Sequence, residues 1–335
     1  MKLPQPYLLF LGDVTVAPFA KTAFGLRDWA PDSCVGEFVL PAATITAGLP
    51  RLSMVEARER GARAVVIGVA NIGGALKPDW IASLAEGLEA GLDVISGMHS
   101  LLEDVPELAL AAARHGRRLI NVRRPPENIP IASGARRAGR RLLTVGTDCA
   151  VGKKYTALTL AREFGRRGVR ADFRATGQTG ILIAGSGIPI DAVVSDFVAG
   201  AAEMLSPAAD ASHWDVVEGQ GSIFHPAYAG VSLGLLHGTQ PDVIVMCHEV
   251  GRDRIMGMDS YATPSVAEAI ELTLRLARRT NPGVRCGGVA LNTSRLSGDD
   301  AATALERCSR EVGLPVADPI RGGTQLAQLV AGCLK

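Results

Sequence analysis

Short apolar runs alternate with segments of helical spacing along the first part of the chain. Each run predicts a buried strand, and each following segment repeats its apolar residues at the spacing of an amphipathic helix. Because strand and helix alternate, we predict a parallel, Rossmann-like sheet. The predicted strands are 7–12, 35–40, 64–69, 93–96 and 118–122, and the predicted helices are 16–27, 52–60, 79–90 and 104–115.

The same alternation resumes at position 141 and predicts a second, doubly wound α/β domain. Before it, Pro125 and Pro126 favour extended backbone and stop a helix. We therefore predict domains at 1–125 and 141–335, joined by a linker at 126–140. The second domain has predicted strands at 142–146, 170–176, 214–218, 242–247, 284–291 and 314–317, and predicted helices at 153–167, 191–205, 265–279, 299–312 and 323–333.

A glycine-bounded turn joins the first strand and helix of the second domain. Gly146 and Gly152 can adopt backbone angles closed to other residues, so successive N–H groups can point at an anion on the helix N-terminus. Lys153 adds positive charge, and the strand, turn and helix together predict phosphate binding. The alternative is a tight turn whose lysine points to solvent. The predicted cofactor-binding residues here are Gly146, Thr147, Asp148, Cys149, Ala150, Val151, Gly152, Lys153, Lys154 and Tyr155.

This turn departs from the phosphate-loop consensus G-x-x-x-x-G-K-[ST] in two ways. Five residues separate its glycines, and Lys154 stands where Ser or Thr would offer a hydroxyl to Mg²⁺. The longer spacing resembles the G-T-D-x-x-V-G-K loop of dethiobiotin synthetases and predicts a P-loop NTPase-like fold. The lysine disfavours nucleotide hydrolysis, because Mg²⁺ would lose its loop hydroxyl.

Composition narrows the class of protein. Of 335 residues, 47% are hydrophobic and 21% charged, and there are 38 glycines, which is typical of a well-packed α/β enzyme. A net charge of +1 and 4% aromatic residues argue against nucleic-acid and membrane-surface partners, so we expect small-molecule ligands. No apolar run is long enough to span a membrane, and the first residues do not form a signal peptide. We expect a cytoplasmic protein.

The six cysteines are scattered without a C-x-x-C pair, which argues against a zinc site or a disulfide framework. No metal site is therefore predicted. Cys149 differs from the others because the helix N-terminus and two lysines would favour its thiolate. A small residue that fills the loop is the more ordinary interpretation.

Polar residues also follow the ends of other predicted strands, where open α/β sheets bind ligands. In the N-terminal half these are Asp13, the turn 71–74 and the segment 96–100, which contains His99. In the second half they are two flexible glycine turns at 175–180 and 185–191, and Glu218, which could hold Mg²⁺, act as a base or be structural. Asn292 is placed to contact the edge of a purine ring.

Four arginines precede the phosphate loop in sequence. A run of charge is usually solvated, yet these guanidinium groups could reach additional phosphates of a ligand. The four are Arg136, Arg137, Arg140 and Arg141.

Several of these segments together resemble a family labelled as a domain of unknown function, in which a Rossmann-like domain precedes a phosphate-loop domain. The resemblance covers nearly the whole chain. It is carried by 96–99, 122–125, 146–153, 176–180, 196–203, 218–222 and Asn292.

That family includes bacterial D-glutamate N-acetyltransferases, and this chain is similar to them. The resemblance implies transfer of an acetyl group from acetyl-CoA to the amine of D-glutamate. A phosphate loop without its Mg²⁺ hydroxyl suits binding of CoA without hydrolysis.

The implied reaction requires a base, oxyanion donors and cations for the substrate carboxylates. The N–H groups of 219–221 are candidate oxyanion donors. Candidate bases are His99, Glu218, His225 and His248, and candidate substrate-binding residues are Arg123, Gln178, Thr179, Gln220, Arg252 and Arg254.

Two other functions fit the same residues. One is an Mg-ATP-dependent ligase or kinase, in which Asp148, Lys153 and Glu218 would serve Mg-ATP. The other is a binding protein that senses a nucleotide or CoA. For a two-domain enzyme of this size we also expect a homo-oligomer, either a dimer or a tetramer.

Overall fold

Two parallel β-sheets organise the chain in the computed structural model, which describes residues 2–69, 76–98 and 100–335. One compact unit comprises Met1–Pro126 and Gly177–Pro189, and the other comprises Glu127–Thr176 and Ile190–Lys335. The segment Gly177–Pro189 therefore groups with the N-terminal unit although it lies within the second predicted domain. The remaining predicted domain limits stay predictions.

The strands of the described residues are β1 (Tyr7–Gly12), β2 (Cys34–Val39), β3 (Ala64–Ile67), β4 (Asp93–Ser96), β5 (Leu119–Asn121), β6 (Arg140–Gly146), β7 (Ala171–Arg174), β8 (Trp214–Val217), β9 (Val243–Glu249), β10 (Arg254–Ile255), β11 (Met258–Ala262), β12 (Arg285–Asn292) and β13 (Val316–Ala317). The helices are α1 (Lys21–Trp29), α2 (Met54–Glu59), α3 (Pro78–Glu89), α4 (Pro106–His115), α5 (Lys153–Arg166), α6 (Gln178–Ala184), α7 (Val198–Leu205), α8 (Ala229–Thr239), α9 (Val266–Ala277), α10 (Gly298–Val312) and α11 (Gly323–Leu334).

The first unit contains a five-stranded parallel sheet of order β2-β1-β3-β4-β5. All six residues of β1 are buried, as expected for a central strand covered on both faces. Each predicted strand of this half overlaps an observed one, and the predicted Rossmann-like parallel sheet is confirmed.

The second unit contains a six-stranded parallel sheet of order β13-β12-β9-β6-β8-β7. Strand β6 lies between β8 and β9, so the chain leaves it at a point where the strand order reverses, and open α/β sheets bind ligands at such points. Phe164 of α5 packs edge-on against Trp214, with ring centroids 5.4 Å apart, within the core on one face of the sheet. The predicted doubly wound P-loop domain is confirmed.

Four elements were not predicted, namely α6, α8 and the antiparallel hairpin of β10 and β11. Helix α8 contains glycines that indicate a loop in sequence but allow close packing in the structure. A Cβ at Gly238 would lie 2.1 Å from the carbonyl oxygen of Ala199 in α7, and one at Gly234 would lie 2.6 Å from Val198. These glycines therefore let α7 and α8 approach each other.

The prediction that four arginines reach ligand phosphates is wrong. Arg140 and Arg141 begin β6, whereas the phosphate loop follows its other end, roughly 20 Å away at the usual rise of a strand. Arg141 is buried, and its guanidinium donates to main-chain carbonyls, among them Ala138 at 2.9 Å. Arg136 and Arg137 bind Asp242 and Ser206 near the same edge. This cluster closes the end of the sheet opposite the loop.

Across the described ranges, none of the helices has both the length and the apolar character needed to cross a lipid bilayer.

Candidate functional site

The turn between β6 and α5 is shaped by two residues with positive φ. Gly152 has φ of 106° and Ala150 has φ of 54°, angles in the left-handed region. Thr156 N–H donates to the carbonyl of Gly152 at 2.9 Å, so the helical hydrogen bonds begin there. The N–H groups of residues 153–155 precede this ladder and point along the helix axis, where they suit an anion.

Lys153 is almost completely buried inside the turn. Its Nζ donates to the carbonyl of Asp148 at 2.7 Å, and burial lowers the pKa of its ammonium. A Cβ at Gly219 would lie 3.0 Å from Cδ of Lys153, so the glycine loop after β8 packs against the lysine stem. The lysine is thus held in place before any ligand arrives.

Asp148 is fully buried and binds protein groups with both carboxylate oxygens. Oδ1 accepts from the N–H of Cys149 at 2.6 Å. Oδ2 accepts from Nη1 of Arg252 at 2.9 Å and from the N–H of Met256 at 2.8 Å. Asp148 therefore connects the phosphate loop to Arg252 and to the turn of the β10–β11 hairpin.

Arg252 was predicted to bind a substrate carboxylate, and the structure commits its guanidinium elsewhere. Nη1 also donates to the carbonyl of Cys149 at 2.7 Å, and Nη2 pairs with Glu249. Glu249 also forms an ion pair with Arg295, at 3.2 Å. These bonds argue against a role for Arg252 in binding the substrate carboxylates. They hold the phosphate loop in place.

His248, at the end of β9, lies beside the phosphate loop. Its Nδ1 and the hydroxyl of Thr147 are 3.0 Å apart, and the side chain is half-buried. Burial, and then the charge of Arg252, lower the pKa of this imidazole, so it is neutral near pH 7. A neutral imidazole with one nitrogen held is suited to accept a proton at the other.

His225 is less suited to act as a base. Its Nδ1 accepts from the N–H of Ala227 at 3.2 Å, and Nε2 lies 3.1 Å from the carbonyl of Met256. Both ring nitrogens are therefore occupied, and the ring is buried. The remaining predicted histidine, His99, lies outside the described residues, as does the predicted turn 71–74.

Glu218 is buried next to the phosphate loop and organises the segment after β7. Its Oε2 accepts from the N–H of Thr176 at 3.0 Å, and its carbonyl accepts from the Thr176 hydroxyl at 2.7 Å. Gln220 also donates to that hydroxyl, at 3.0 Å. The N–H of Gly219 is bonded to the hydroxyl of Thr144 at 3.0 Å, so it is not the oxyanion donor that the sequence suggested.

A cavity of about 420 Å³ adjoins the phosphate loop on the side of β12 and of the segment 318–321 that follows β13. Tyr155 and Thr156 of α5 line one wall, and Asn292 lies at the end of β12, where the sequence placed it. The opposite wall is fixed by Asp318, whose Oδ2 accepts from Thr293 N–H at 3.0 Å. The side-chain amide oxygen of Asn292 accepts from the N–H of Ser294 at 3.1 Å.

Other predicted substrate-binding residues belong to the first unit or to β10. Gln178 and Thr179 begin α6 in the first unit, where Gln178 packs on Gly97 and Thr179 lies 3.3 Å from Thr22. Both residues belong to a helix, so the prediction that the flexible turn 175–180 extends through them is wrong. Arg123 follows β5 in the first unit, and Arg254 is exposed on β10.

Two groups of potential metal ligands occur in the described residues. Asp148, Cys149 and His225 have ligand atoms within 4.8 Å of one another, but the aspartate and the histidine already hold the partners described above. In Asp172, His213 and Asp215, the guanidinium of Arg174 bridges the two carboxylates at 3.1 Å and 2.7 Å. Hydrogen bonds and ion pairs explain both groups.

Sequence reasoning missed Thr156, Ser294 and Arg321 on the cavity wall. Thr156 follows directly on the predicted loop and could have been included. Arg321 had no signal in the sequence. Its place on the cavity wall depends on a tertiary contact, because its Nε donates to the hydroxyl of Thr293 at 2.8 Å. Tertiary packing alone brings these segments together.

Comparisons with known proteins agree with this architecture. Residues 130–330 match the family described as "Domain of unknown function (DUF1611_C) P-loop domain", and residues 32–125 match "Domain of unknown function (DUF1611_N) Rossmann-like domain". A crystal structure of a DUF1611 family protein from Anabaena variabilis has a TM-score of 0.84 and 32% sequence identity, and the match covers 98% of each chain.

Two curated relatives match over almost their full length. A D-glutamate N-acetyltransferase from Tritonibacter scottomollicae is 48% identical over 321 residues, which is 96% of each chain. A D-glutamate N-acetyltransferase from a Pseudoalteromonas species is 45% identical over 323 residues, covering 96% of this chain and 97% of the relative.

Proposed function

The chain belongs to the DUF1611 family, and we propose that it is an N-acetyltransferase that transfers the acetyl group of acetyl-CoA to the amine of D-glutamate. The names of the two curated relatives support the reaction and the amino-acid substrate. The acetyl donor is inferred from the reaction class together with the chemistry of the site.

The observation that carries the acetyl-CoA proposal is the continuity of the phosphate loop with the cavity of about 420 Å³. CoA carries a diphosphate and an adenine. The diphosphate suits the N–H groups at the start of α5 and the buried Lys153, and the adenine suits the cavity lined by Tyr155 and Asn292. Both parts of the site are braced by hydrogen bonds within the protein, so binding costs little reorganisation.

We assign the role of general base to His248. With Nδ1–H donated to the Thr147 hydroxyl, Nε2 keeps a lone pair that can accept the proton of the substrate ammonium. The amine then attacks the thioester carbonyl, and the nitrogen of the tetrahedral intermediate loses a second proton to solvent. As the intermediate collapses, the carbon–sulfur bond breaks and the imidazolium returns the first proton to the CoA sulfur, so the products are the amide, the CoA thiol and one proton. His248 is favoured because His225 has both nitrogens occupied.

One assay tests the proposed function. Purified protein is mixed with D-glutamate and acetyl-CoA, and free thiol and product mass are followed, while a parallel sample with Mg-ATP is followed for phosphate. We expect thiol release matched by acetylated D-glutamate, without phosphate release. Phosphate release without thiol would replace the transferase with an ATP-dependent ligase or kinase. Tight CoA binding without turnover of any amino acid would instead identify a sensing protein.

A further inference from the structure

We infer that the phosphate loop binds the diphosphate of its ligand without a divalent cation. The ammonium of Lys154 supplies positive charge where phosphate-loop NTPases bind Mg²⁺. The inference rests on the proposed function, because it concerns how the same loop holds CoA. It defines the ligand class as a metal-free diphosphate ester, distinct from an Mg-nucleotide complex.

The residue that follows the loop lysine departs from the phosphate-loop consensus. In phosphate-loop NTPases a Ser or Thr hydroxyl at this position binds Mg²⁺. Here the residue is Lys154, a half-buried side chain whose Nζ lies 4.6 Å from the centroid of the Tyr155 ring. Tyr155 lines the cavity next to the loop, so the ammonium lies close to the ligand space. The residue type thus replaces a metal ligand with a fixed positive charge.

The carboxylates that surround the loop are bound to donors of the protein itself. Mg²⁺ in such sites requires nearly octahedral oxygen ligands, commonly including a carboxylate. Asp148 is neutralised by Arg252 and also accepts from two main-chain N–H groups. Glu249 pairs with Arg252 and Arg295, and Glu218 holds the N–H of Thr176. Among the described residues, each carboxylate that adjoins the loop is therefore engaged with a protein donor.

The charges at the loop do not cancel. Lys153, Lys154, Arg252 and Arg295 place four cationic side chains at or beside it, against the three carboxylates of Asp148, Glu218 and Glu249, which leaves a net charge of +1. This excess of positive charge disfavours a dication at the same position and favours a diphosphate, which carries the opposite charge. The donor set of the loop does not fit Mg²⁺ and fits a bare diphosphate.

Calorimetric titration of CoA into the full-length protein tests the inference, once in EDTA and once in millimolar Mg²⁺. We expect the two dissociation constants to agree within about twofold, which corresponds to about 0.4 kcal/mol. Binding that requires Mg²⁺, or that tightens about tenfold or more when Mg²⁺ is added, overturns the inference. So does an absence of CoA binding in EDTA.

Two variants at position 154 sharpen the test. Lys154→Gln removes the charge, and Lys154→Thr removes the charge and restores the consensus hydroxyl. We expect both to weaken CoA binding in EDTA by about tenfold, with no recovery on addition of Mg²⁺, because the nearby carboxylates remain engaged. Recovery of the Thr variant by Mg²⁺ would show that a metal site exists and would overturn the inference. Thermal unfolding of both variants checks that the fold is retained.

The two proposals can fail separately. Metal-free CoA binding without acetylation of D-glutamate would leave the loop chemistry intact and reject the proposed function. Acetylation that requires Mg²⁺ for CoA binding would retain the proposed function and reject the metal-free loop.

Discussion

Nη1 of Arg252 donates to Oδ2 of Asp148 at 2.9 Å, joining the end of one central strand to the phosphate loop of its neighbour. Asp148 is fully buried, and the side chain of Arg252 is 16% exposed. Because Asp148 is buried away from water, its negative charge is stabilised by the guanidinium of Arg252.

Replacing Arg252 by Ala should destabilise the protein strongly, since it leaves a buried carboxylate without its counter-charge. We expect a loss of about 3–5 kcal/mol in the free energy of unfolding, measured by chemical denaturation. Arg166→Ala is the matched control, because Arg166 is exposed in its pair with Glu163 and should change stability by less than about 1 kcal/mol. The double variant Asp148→Asn, Arg252→Ala should lose less than the sum of the single variants. Additive losses would contradict this account.

Lys153→Ala should weaken CoA binding by about tenfold to a hundredfold, because the loop loses its buried charge. Calorimetry measures the dissociation constant directly. Lys21→Ala, at an exposed lysine in the first unit, serves as a control and should leave it unchanged. Unchanged CoA binding by Lys153→Ala would remove the loop from the proposed CoA site.

The pH profile of kcat/KM tests the role of His248. Because the pKa of its imidazole lies below the ordinary 6.5, the base stays deprotonated to a lower pH, and the acid limb of the profile should fall below pH 6.5. His248→Gln should lower kcat by about a hundredfold or more and abolish that limb. His237→Gln, whose ring pairs with the Leu276 carbonyl, should keep the profile. An unchanged profile in His248→Gln would assign the base elsewhere.

Asn292→Ala should weaken recognition of the adenine end of the donor and leave recognition of its acyl end unchanged. We expect KM for acetyl-CoA to rise about tenfold, because a polar contact at the cavity is lost. Acetylpantetheine lacks the adenosine, so its kcat/KM should not change. Equal losses with both donors would mean that Asn292 acts through the loop and does not bind adenine.

Two glycines offer a paired test of packing around the site. A Cβ at Gly219 would lie 1.7 Å from the carbonyl oxygen of Thr144, whereas one at Gly230 in α8 meets nothing within 4 Å. Gly219→Ala should therefore destabilise the protein by more than about 2 kcal/mol and impair CoA binding. Gly230→Ala should be neutral or stabilise by about 0.5–1 kcal/mol. Thermal and chemical unfolding compare the two, and equal effects would contradict the close approach of Gly219.

The strands and most helices could be predicted from sequence because their signals are local. Ser53, Ser265 and Ser297 each cap a helix whose apolar spacing was also visible, and the helices begin close to the predicted positions. Helix α8 was missed because its glycines serve a contact with α7, which no local pattern reveals. Helix α6 was missed because its polar N-terminal residues resemble a turn.

The phosphate loop was determined by the sequence itself, since strand, glycines, lysine and helix are adjacent in the chain and their geometry follows from local backbone preference. Asn292 was also placed correctly, because the carboxyl ends of parallel strands meet at one edge of a sheet. Only the tertiary structure decided which charges face one another. Arg252 pairs with Asp148. The four arginines that lie near the loop in sequence are placed at the end of the sheet opposite the loop. A β-strand carries the residues at its two ends to opposite ends of the sheet, so proximity in sequence does not determine the partners of a charge.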